Sequence, residues 1–156
     1  MDKENRELIL ERIVDVPKEL IWKCWTEAEH LMPWFCPKPW LTTECRIDLR
    51  PGGEFYALMK SPEGENFPNY GVVLEVIKNK RLVWTDAYSS GWQPSENPFF
   101  TGIIELEDLG AGKTKYIARA LHWTVENRKK HEEMGFHQGW GIVLDQLLAY
   151  IKTLQK

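Results

Sequence analysis

The sequence has no long apolar run: no stretch approaches the roughly 18 apolar residues of a membrane-spanning helix. Its first residues, 1–6, are polar and lack the apolar segment of a signal peptide. We therefore expect no membrane insertion. Cysteine is also scarce, with Cys24, Cys36 and Cys45 and no C-x-x-C pair. Free thiols in a reducing cytoplasm are the simplest interpretation of this usage.

An excess of charge of one sign is missing as well, since the formal net charge is −3 over 156 residues. Nucleic acids and acidic membranes require a concentrated basic surface. The one basic run, Arg128 to Lys130, is short and is followed by Glu132 and Glu133, which indicates a solvated helix face. We expect no nucleic-acid partner.

Sequence motifs for common catalytic and cofactor sites are absent. There is no nucleophile elbow, phosphate loop or dinucleotide fingerprint, and no H-x-x-x-H pair for zinc. His131 and His137 are six residues apart, which is not ligand spacing on a helix. The sequence predicts neither a metal site nor a cofactor.

Tryptophan is abundant, with eight residues. Indole is bulky and carries an N–H donor that needs a partner when buried. Two interpretations stay open: the tryptophans line a cavity, or they fill the core and its rim.

The last part of the chain predicts a long helix, from about Glu126 to Leu154, capped by Thr124. Apolar residues recur at intervals of three and four, which places them on one helical face. This apolar set comprises Phe136, Trp140, Val143, Leu144, Leu147, Ile151 and Leu154. Gly135 is unfavourable within a helix, so the alternative is a helix that begins near Gly135 after a separate turn. We favour a continuous or kinked helix.

The rest of the chain predicts one strand, two short helices and six strands. The first strand covers 7–14, and the helices follow Pro17, with a break near Thr26 and Glu27. The later strands cover 40–49, 54–60, 70–77, 81–87, 99–107 and 113–123, with 88–97 as a loop. Short turns between consecutive strands predict an antiparallel meander. The fold class is α+β, in one domain over 1–156, with a curved sheet around the last helix.

Alternation along the last strand places Thr114, Tyr116, Ala118, Ala120 and His122 on one face, because Lys115 and Arg119 on the other face prefer water. His122 then faces the helix. A histidine in an apolar cavity could serve acid–base chemistry, and we favour the alternative of a hydrogen-bonded structural histidine or a residue at the rim.

Two carboxylates are weaker catalytic candidates. Asp86 shares a face with Trp84 and would form a catalytic pair with His122 if both point inward. Glu54 would be a general base if buried, and its place at a turn favours exposure. Phe55 and Met59 are chosen as the inward face of that strand.

Several motifs together resemble the SRPBCC (START-like, helix-grip) superfamily. They are Val16-Pro17, Trp25-Thr26, Trp34-Phe35-Cys36-Pro37, the D-x-R-x-G-G-x-F turn from Asp48 to Phe55, and Gly139-Trp140 with Leu144 and Leu147. Among its branches, the chain is most similar to bacterial members of the one named after the activator of the heat-shock-protein-90 ATPase. The resemblance covers nearly the whole chain.

This resemblance implies a helix-grip fold with a cavity between sheet and helix, where such proteins hold apolar molecules, lipids or polyketides. A few members are cyclases or hydrolytic enzymes, and a domain of this type in the eukaryotic co-chaperone contacts the chaperone. The additional N-terminal domain of that co-chaperone has no counterpart here, which weakens the chaperone interpretation.

We therefore predict binding of an apolar or aromatic small molecule without catalysis. The alternatives are a cyclase- or hydrolase-type enzyme using His122 and a chaperone-associated interaction module, and a homodimer is left open. The predicted ligand-binding residues are Trp34, Phe55, Met59, Trp84, His122, Phe136, Trp140 and Leu144.

Overall fold

The computed structural model describes residues 5–155, so the polar start at 1–4 and Lys156 lie outside it. Its helices are α1 (Lys18–Thr26), α2 (Ala28–Leu31), α3 (Val125–Glu133) and α4 (Phe136–Leu154). Its strands are β1 (Glu7–Val14), β2 (Leu41–Ile47), β3 (Phe55–Lys60), β4 (Asn66–Asn69), β5 (Val72–Ile77), β6 (Arg81–Thr85), β7 (Tyr88–Ser89), β8 (Gln93–Pro94), β9 (Phe100–Gly110) and β10 (Lys113–His122).

The fold is α+β, with a curved antiparallel sheet and a C-terminal helix, as predicted. Five strands pair in the order β1-β10-β9-β6-β5, and three others in the order β2-β3-β4. The two groups join where Glu54 bridges Val72 and where Phe55 N donates to Gly71 O at 3.0 Å. The meander is therefore confirmed for β5, β6, β9 and β10, and it is divided between β4 and β5.

The predicted break between the first two helices lies at Glu27, which has an extended backbone (φ −108°, ψ 119°). Pro17 is the residue that precedes α1 (φ −71°, ψ 146°) rather than its first helical residue. The difference of one residue is typical of helix ends.

A continuous helix from Glu126 was the wrong choice, because α3 and α4 are separate helices. Gly135 lies between them with φ 94°, a left-handed conformation that glycine adopts without steric cost. Thr124 caps α3 as predicted, since its hydroxyl accepts from Asn127 N at 3.0 Å. The alternative is right that the last helix begins near Gly135, but the segment before it is the helix α3 and not a turn.

Two short features were not predicted. Strand β4 is exposed throughout and contains asparagine and proline, which are rare in strands, and proline is largely confined to edge strands. The predicted loop at 88–97 contains the two-residue strands β7 and β8.

The apolar stripe of α4 packs into the core, where Leu144, Leu147 and Ile151 are essentially inaccessible to solvent. Helix α1 contributes Ile21 and Trp25 to the same core. The inward face of β10 is the predicted one, because its even-numbered residues are buried. None of the described helices is both long and apolar enough to span a membrane.

Candidate functional site

A cavity of about 250 Å³ lies between α4 and the curved wall of strands. Strands from both sheets line it, together with α1 and α4, and eight of its fifteen lining residues are aromatic. The aromatic residues are Trp25, Phe35, Phe55, Tyr70, Trp84, Phe100, Tyr116 and Trp140, and the others are Ala57, Met59, Asn69, Gly71, Thr85, Asp86 and Val143.

A second depression of about 470 Å³ lies beside α2 and is more open to solvent. Charged Glu29 and Lys38 border it, whereas the first cavity is more enclosed and has eight aromatic residues in its lining. Ligand sites are typically concave and apolar with a few polar groups, so the first cavity is the candidate site.

Trp84 is the centre of the aromatic wall. Its ring stacks on Phe55 with centroids 5.3 Å apart, and it meets Trp25 at 5.2 Å. This arrangement depends on Gly102 in the neighbouring strand, because a Cβ there would lie 2.4 Å from Trp84 Cζ2. The glycine therefore gives the indole the space in which it forms the wall.

Tyr116 is a polar group within this apolar lining. Its hydroxyl accepts a hydrogen bond from Trp25 Nε1 at 3.2 Å. Burial raises the pKa of Tyr116 above its ordinary value, so the hydroxyl stays protonated near neutral pH. Within residues 5–155 no acceptor takes its proton, which leaves a donor for a bound molecule.

Asp86 is the acidic group of the lining, and backbone donors fix its orientation. Its carboxylate accepts from Phe99 N at 2.9 Å and from Phe100 N at 3.3 Å. Burial raises the pKa of Asp86, while these backbone hydrogen bonds oppose the rise. The side chain is half-buried and lines the cavity.

Four of the eight predicted ligand-binding residues line the cavity: Phe55, Met59, Trp84 and Trp140. The inward face chosen for β3 is therefore the face that the structure turns toward the cavity. Their role in ligand binding stays a prediction.

The other four predicted residues lie outside the lining. Trp34 is buried against Trp25 and donates from Nε1 to His30 O at 2.7 Å. Leu144 is part of the core under α4, and Phe136 packs with Leu8 in a separate apolar cluster. Sequence spacing identified them as buried and did not distinguish filled core from cavity wall.

His122, the fourth of these residues, is 3% exposed and has partners for both ring nitrogens. Nδ1 is 2.8 Å from Arg6 O, and Nε2 is 2.9 Å from His131 Nδ1. It is the hydrogen-bonded structural histidine of the favoured alternative. The proposed pair with Asp86 is not formed, because the carboxylate binds backbone N–H groups instead.

Glu54 is also not placed as a general base for the cavity. It belongs to the face of the β3 segment opposite Phe55, and its Oε1 accepts from Arg46 Nε at 2.9 Å. Its side chain is 27% exposed. Glu54 is therefore half-buried in an ion pair, rather than exposed as its turn position favours.

The His122–His131 pair could not be found from spacing along the chain. His131 lies on α3, and its orientation depends on the break at Gly135. Aromatic rings surround it, with Phe99 at 5.0 Å and Phe136 at 5.2 Å between centroids. His131 is the buried residue of α3, a helix in which every other residue except Val125 is polar or charged.

Within residues 5–155, Glu27, Glu29 and His30 form one group whose ligand atoms lie within 4.8 Å of one another. Glu27 and Glu29 are exposed, and His30 Nδ1 is 2.7 Å from the Tyr150 hydroxyl. Exposed acidic groups of this kind are common, so the group does not by itself indicate a metal site.

Several lining residues were missed by sequence reasoning, including Phe35, Tyr70 and Phe100. Phe35 lies in a connecting segment, where no period assigns a side chain to a face. Tyr70 was placed at the start of the predicted strand 70–77, whereas it lies between β4 and β5. Phe100 begins β9, and alternation along that strand would have placed it with the buried residues Gly102 and Ile104.

The family model described as Activator of Hsp90 ATPase homolog 1-like protein matches residues 15–152. Among solved structures, protein NE0264 from Nitrosomonas europaea is 46% identical, with a TM-score of 0.93 and 99% of each chain covered. Among curated proteins, none is significantly similar to this chain.

Two more distant structures share the fold. Protein Ms6760 from Mycobacterium smegmatis is 21% identical, with a TM-score of 0.76, 92% of this chain covered and 89% of the other. The AHSA1-like protein from Aeromonas hydrophila is 18% identical, with a TM-score of 0.72 and coverage of 96% and 94%. At this identity the likeness concerns the fold alone.

Proposed function

The chain belongs to the family of Activator of Hsp90 ATPase homolog 1-like proteins, and within that family we propose that it binds an apolar, aromatic small molecule in the cavity beneath α4. Family membership supports a ligand-binding domain in general. The kind of ligand is argued from the lining of this cavity.

The observation that carries the proposal is the combination of an open volume with an aromatic wall. An apolar cavity of about 150 Å³ accommodates benzene. About 250 Å³ therefore suits one or two rings, and it is small for a long acyl chain. Stacking and edge contacts with Trp84, Trp25 and Phe55 favour planar ligands over flexible ones.

Binding without conversion is the favoured form of the proposal. The described residues of the lining include no histidine and no cysteine, and their acidic group, Asp86, is held by backbone donors. General acid–base catalysis uses a positioned proton donor and acceptor near the reacting atoms. The groups of this cavity are better suited to orienting a molecule than to exchanging protons with it.

The test is a substitution on α4 that fills the cavity with a larger side chain. Val143 lines the cavity, whereas its neighbour Ile142 is 47% exposed on the opposite side of α4. A screen of aromatic compounds by tryptophan fluorescence and thermal shift should find ligands for the wild-type protein. Val143→Phe should abolish their binding, and the matched control Ile142→Phe should retain it.

Fluorescence is informative here because three indoles, those of Trp25, Trp84 and Trp140, line the cavity. A compound that changes the fluorescence or the melting temperature of both variants equally would bind outside the cavity. That result would contradict the proposal. The absence of any responding aromatic compound for a folded wild-type protein would also contradict it.

A further inference from the structure

The charge among the side chains that line the cavity is of one sign. Among its lining residues Asp86 is acidic and none is lysine, arginine or histidine. In residues 5–155 no ion pair joins Asp86 to a basic side chain. Even partial removal of a carboxylate from water is costly without a counter-charge, so a positive group on a ligand would supply the missing partner.

Asp86 retains hydrogen-bonding capacity for such a partner. Its contacts come from Phe99 N and Phe100 N, which are backbone donors at the start of β9. Oδ1 accepts from both amides and Oδ2 from Phe99 N alone. A carboxylate has about four lone-pair sites on its two oxygens, so these three hydrogen bonds leave about one site unused, on Oδ2. Because the backbone holds the group in place, little ordering is required when a ligand arrives.

The aromatic wall reinforces this preference. The faces of tryptophan, tyrosine and phenylalanine rings attract cations within about 6 Å of the ring centre, and tryptophan does so most strongly. Trp84 precedes Asp86 by two residues and lines the same cavity. Phe55 and Gly102 cover the two faces of the Trp84 ring. The π faces for an ammonium group at Asp86 would therefore come from other rings of the lining, which include Tyr70, Phe100 and Trp140.

From these observations we infer that the ligand of this cavity is an aromatic amine in its protonated form, with its ammonium group on the Asp86 carboxylate and its ring among the aromatic residues of the lining. The inference rests on the proposed function and specifies the ligand class. It excludes aromatic and fatty carboxylates, which would place a second negative charge beside Asp86 with no basic side chain to offset it.

The experiment compares three probes with one ring system: naphthalen-2-ylmethylamine, naphthalen-2-ylmethanol and 2-naphthoate. Isothermal titration calorimetry at pH 7 measures each with the wild-type protein. Hydrogen bonds to charged groups are stronger than neutral ones by about a tenfold factor in affinity. We expect the amine to bind about tenfold tighter than the alcohol, and the carboxylate to bind most weakly.

Two variants test the role of Asp86. Asp86→Asn keeps an acceptor for the Phe99 amide and removes the charge, so the amine should lose about tenfold in affinity while the alcohol changes little. The matched control Glu96→Gln removes an equal charge from an exposed residue outside the lining. It should leave all three affinities unchanged.

The outcomes distinguish a failure of the proposed function from a failure of the inferred ligand class. If none of the probes binds, the proposed function itself is contradicted. If the alcohol or the carboxylate binds at least as tightly as the amine, the proposed function stands and the amine inference is overturned. An equal loss of amine affinity in Asp86→Asn and Glu96→Gln would also overturn the amine inference. If Asp86→Asn does not fold, the comparison of the three probes with the wild-type protein still decides it.

Discussion

At the scale of single residues, the cavity depends on two glycines, whose lack of a side chain leaves space for neighbouring atoms. Gly102 lies under the ring of Trp84, where any Cβ would overlap the indole. Gly71 is equally restricted, since a Cβ there would lie 2.6 Å from Thr85 O. Both glycines lie beside the cavity wall, and neither needs a left-handed backbone. Their role is steric: they allow strands and rings to approach closely.

Gly102→Ala should destabilise the protein and weaken ligand binding. The new methyl group would displace Trp84, which is packed between Phe55 and Trp25, and overpacking of this kind costs about 1–3 kcal/mol. Chemical denaturation measures the free energy of unfolding, and calorimetry with naphthalen-2-ylmethanol measures binding.

Gly139→Ala is the matched control for that substitution. Gly139 lies within α4, and nothing would lie within 4 Å of its Cβ. Alanine is favoured over glycine in a helix by up to about 1 kcal/mol, so this variant should be more stable and bind normally. Similar stability changes in both variants would contradict the steric explanation for Gly102.

At the scale of elements, α3 is attached to β10 through the imidazole pair. His131 from α3 and His122 from β10 are 2.9 Å apart at their nitrogens. Burial, together with the positive charge of Arg128, lowers the pKa of His122. Burial, with the neighbouring His122, lowers the pKa of His131 to about 4. Both rings are therefore neutral at physiological pH, and protonation would oppose the docking of α3.

The stability of the protein should fall as the pH decreases from about 6.5 to about 4. In that interval the unfolded chain binds a proton at residue 131 and the folded chain does not, so acid favours unfolding. The loss is at most about 3 kcal/mol. Denaturation curves at several pH values should show this slope in wild type and a flatter one in His131→Gln.

His137→Gln is the control, because His137 is exposed and its Nε2 is 3.2 Å from Ile9 O on the outside of the fold. This variant should keep the wild-type slope. An unchanged slope in His131→Gln would show that other groups cause the acid sensitivity.

The elements themselves were predictable wherever a single period governs a segment. Alternation along β10 and the three-to-four spacing of α4 identified their buried faces, since one face of each meets the core. The break at Gly135 was less certain, because a glycine is tolerated within a helix at a cost of about 1 kcal/mol. Its positive φ is a property of the folded backbone.

The site was less predictable than the fold, because it depends on pairings across space. Sequence placed Asp86 and Trp84 on one face and correctly suggested a structural role for His122. It could not show that Phe99 N–H binds Asp86 or that His131 meets His122, since these contacts follow from loop paths. Periodicity identified which residues are buried, but it did not distinguish residues of the filled core from residues of the cavity wall.

At the scale of the whole molecule, the cavity spans the junction between the two sheets. Its lining includes Phe55 and Met59 from β3, Phe100 and Tyr116 from the five-stranded sheet, and Val143 from α4. The sheets are connected at their junction by few backbone hydrogen bonds, among them Val73 N to Gly53 O at 2.8 Å. A bound ligand would therefore add contacts across this junction to the Phe55–Trp84 stacking and these backbone hydrogen bonds.

Ligand binding should consequently slow local opening of the β3–β4 region more than that of distant surface segments. Exposed β4 is an edge strand, whose amides exchange through small local openings. If opening releases the ligand, a free concentration of ten times Kd reduces the open population about tenfold. Hydrogen exchange with naphthalen-2-ylmethanol should show this protection across 55–71 and none in the turn at 110–113. Val143→Phe should show no protection in either segment, whereas uniform protection of the wild-type chain would mean that the ligand stabilises the fold without bridging its two sheets.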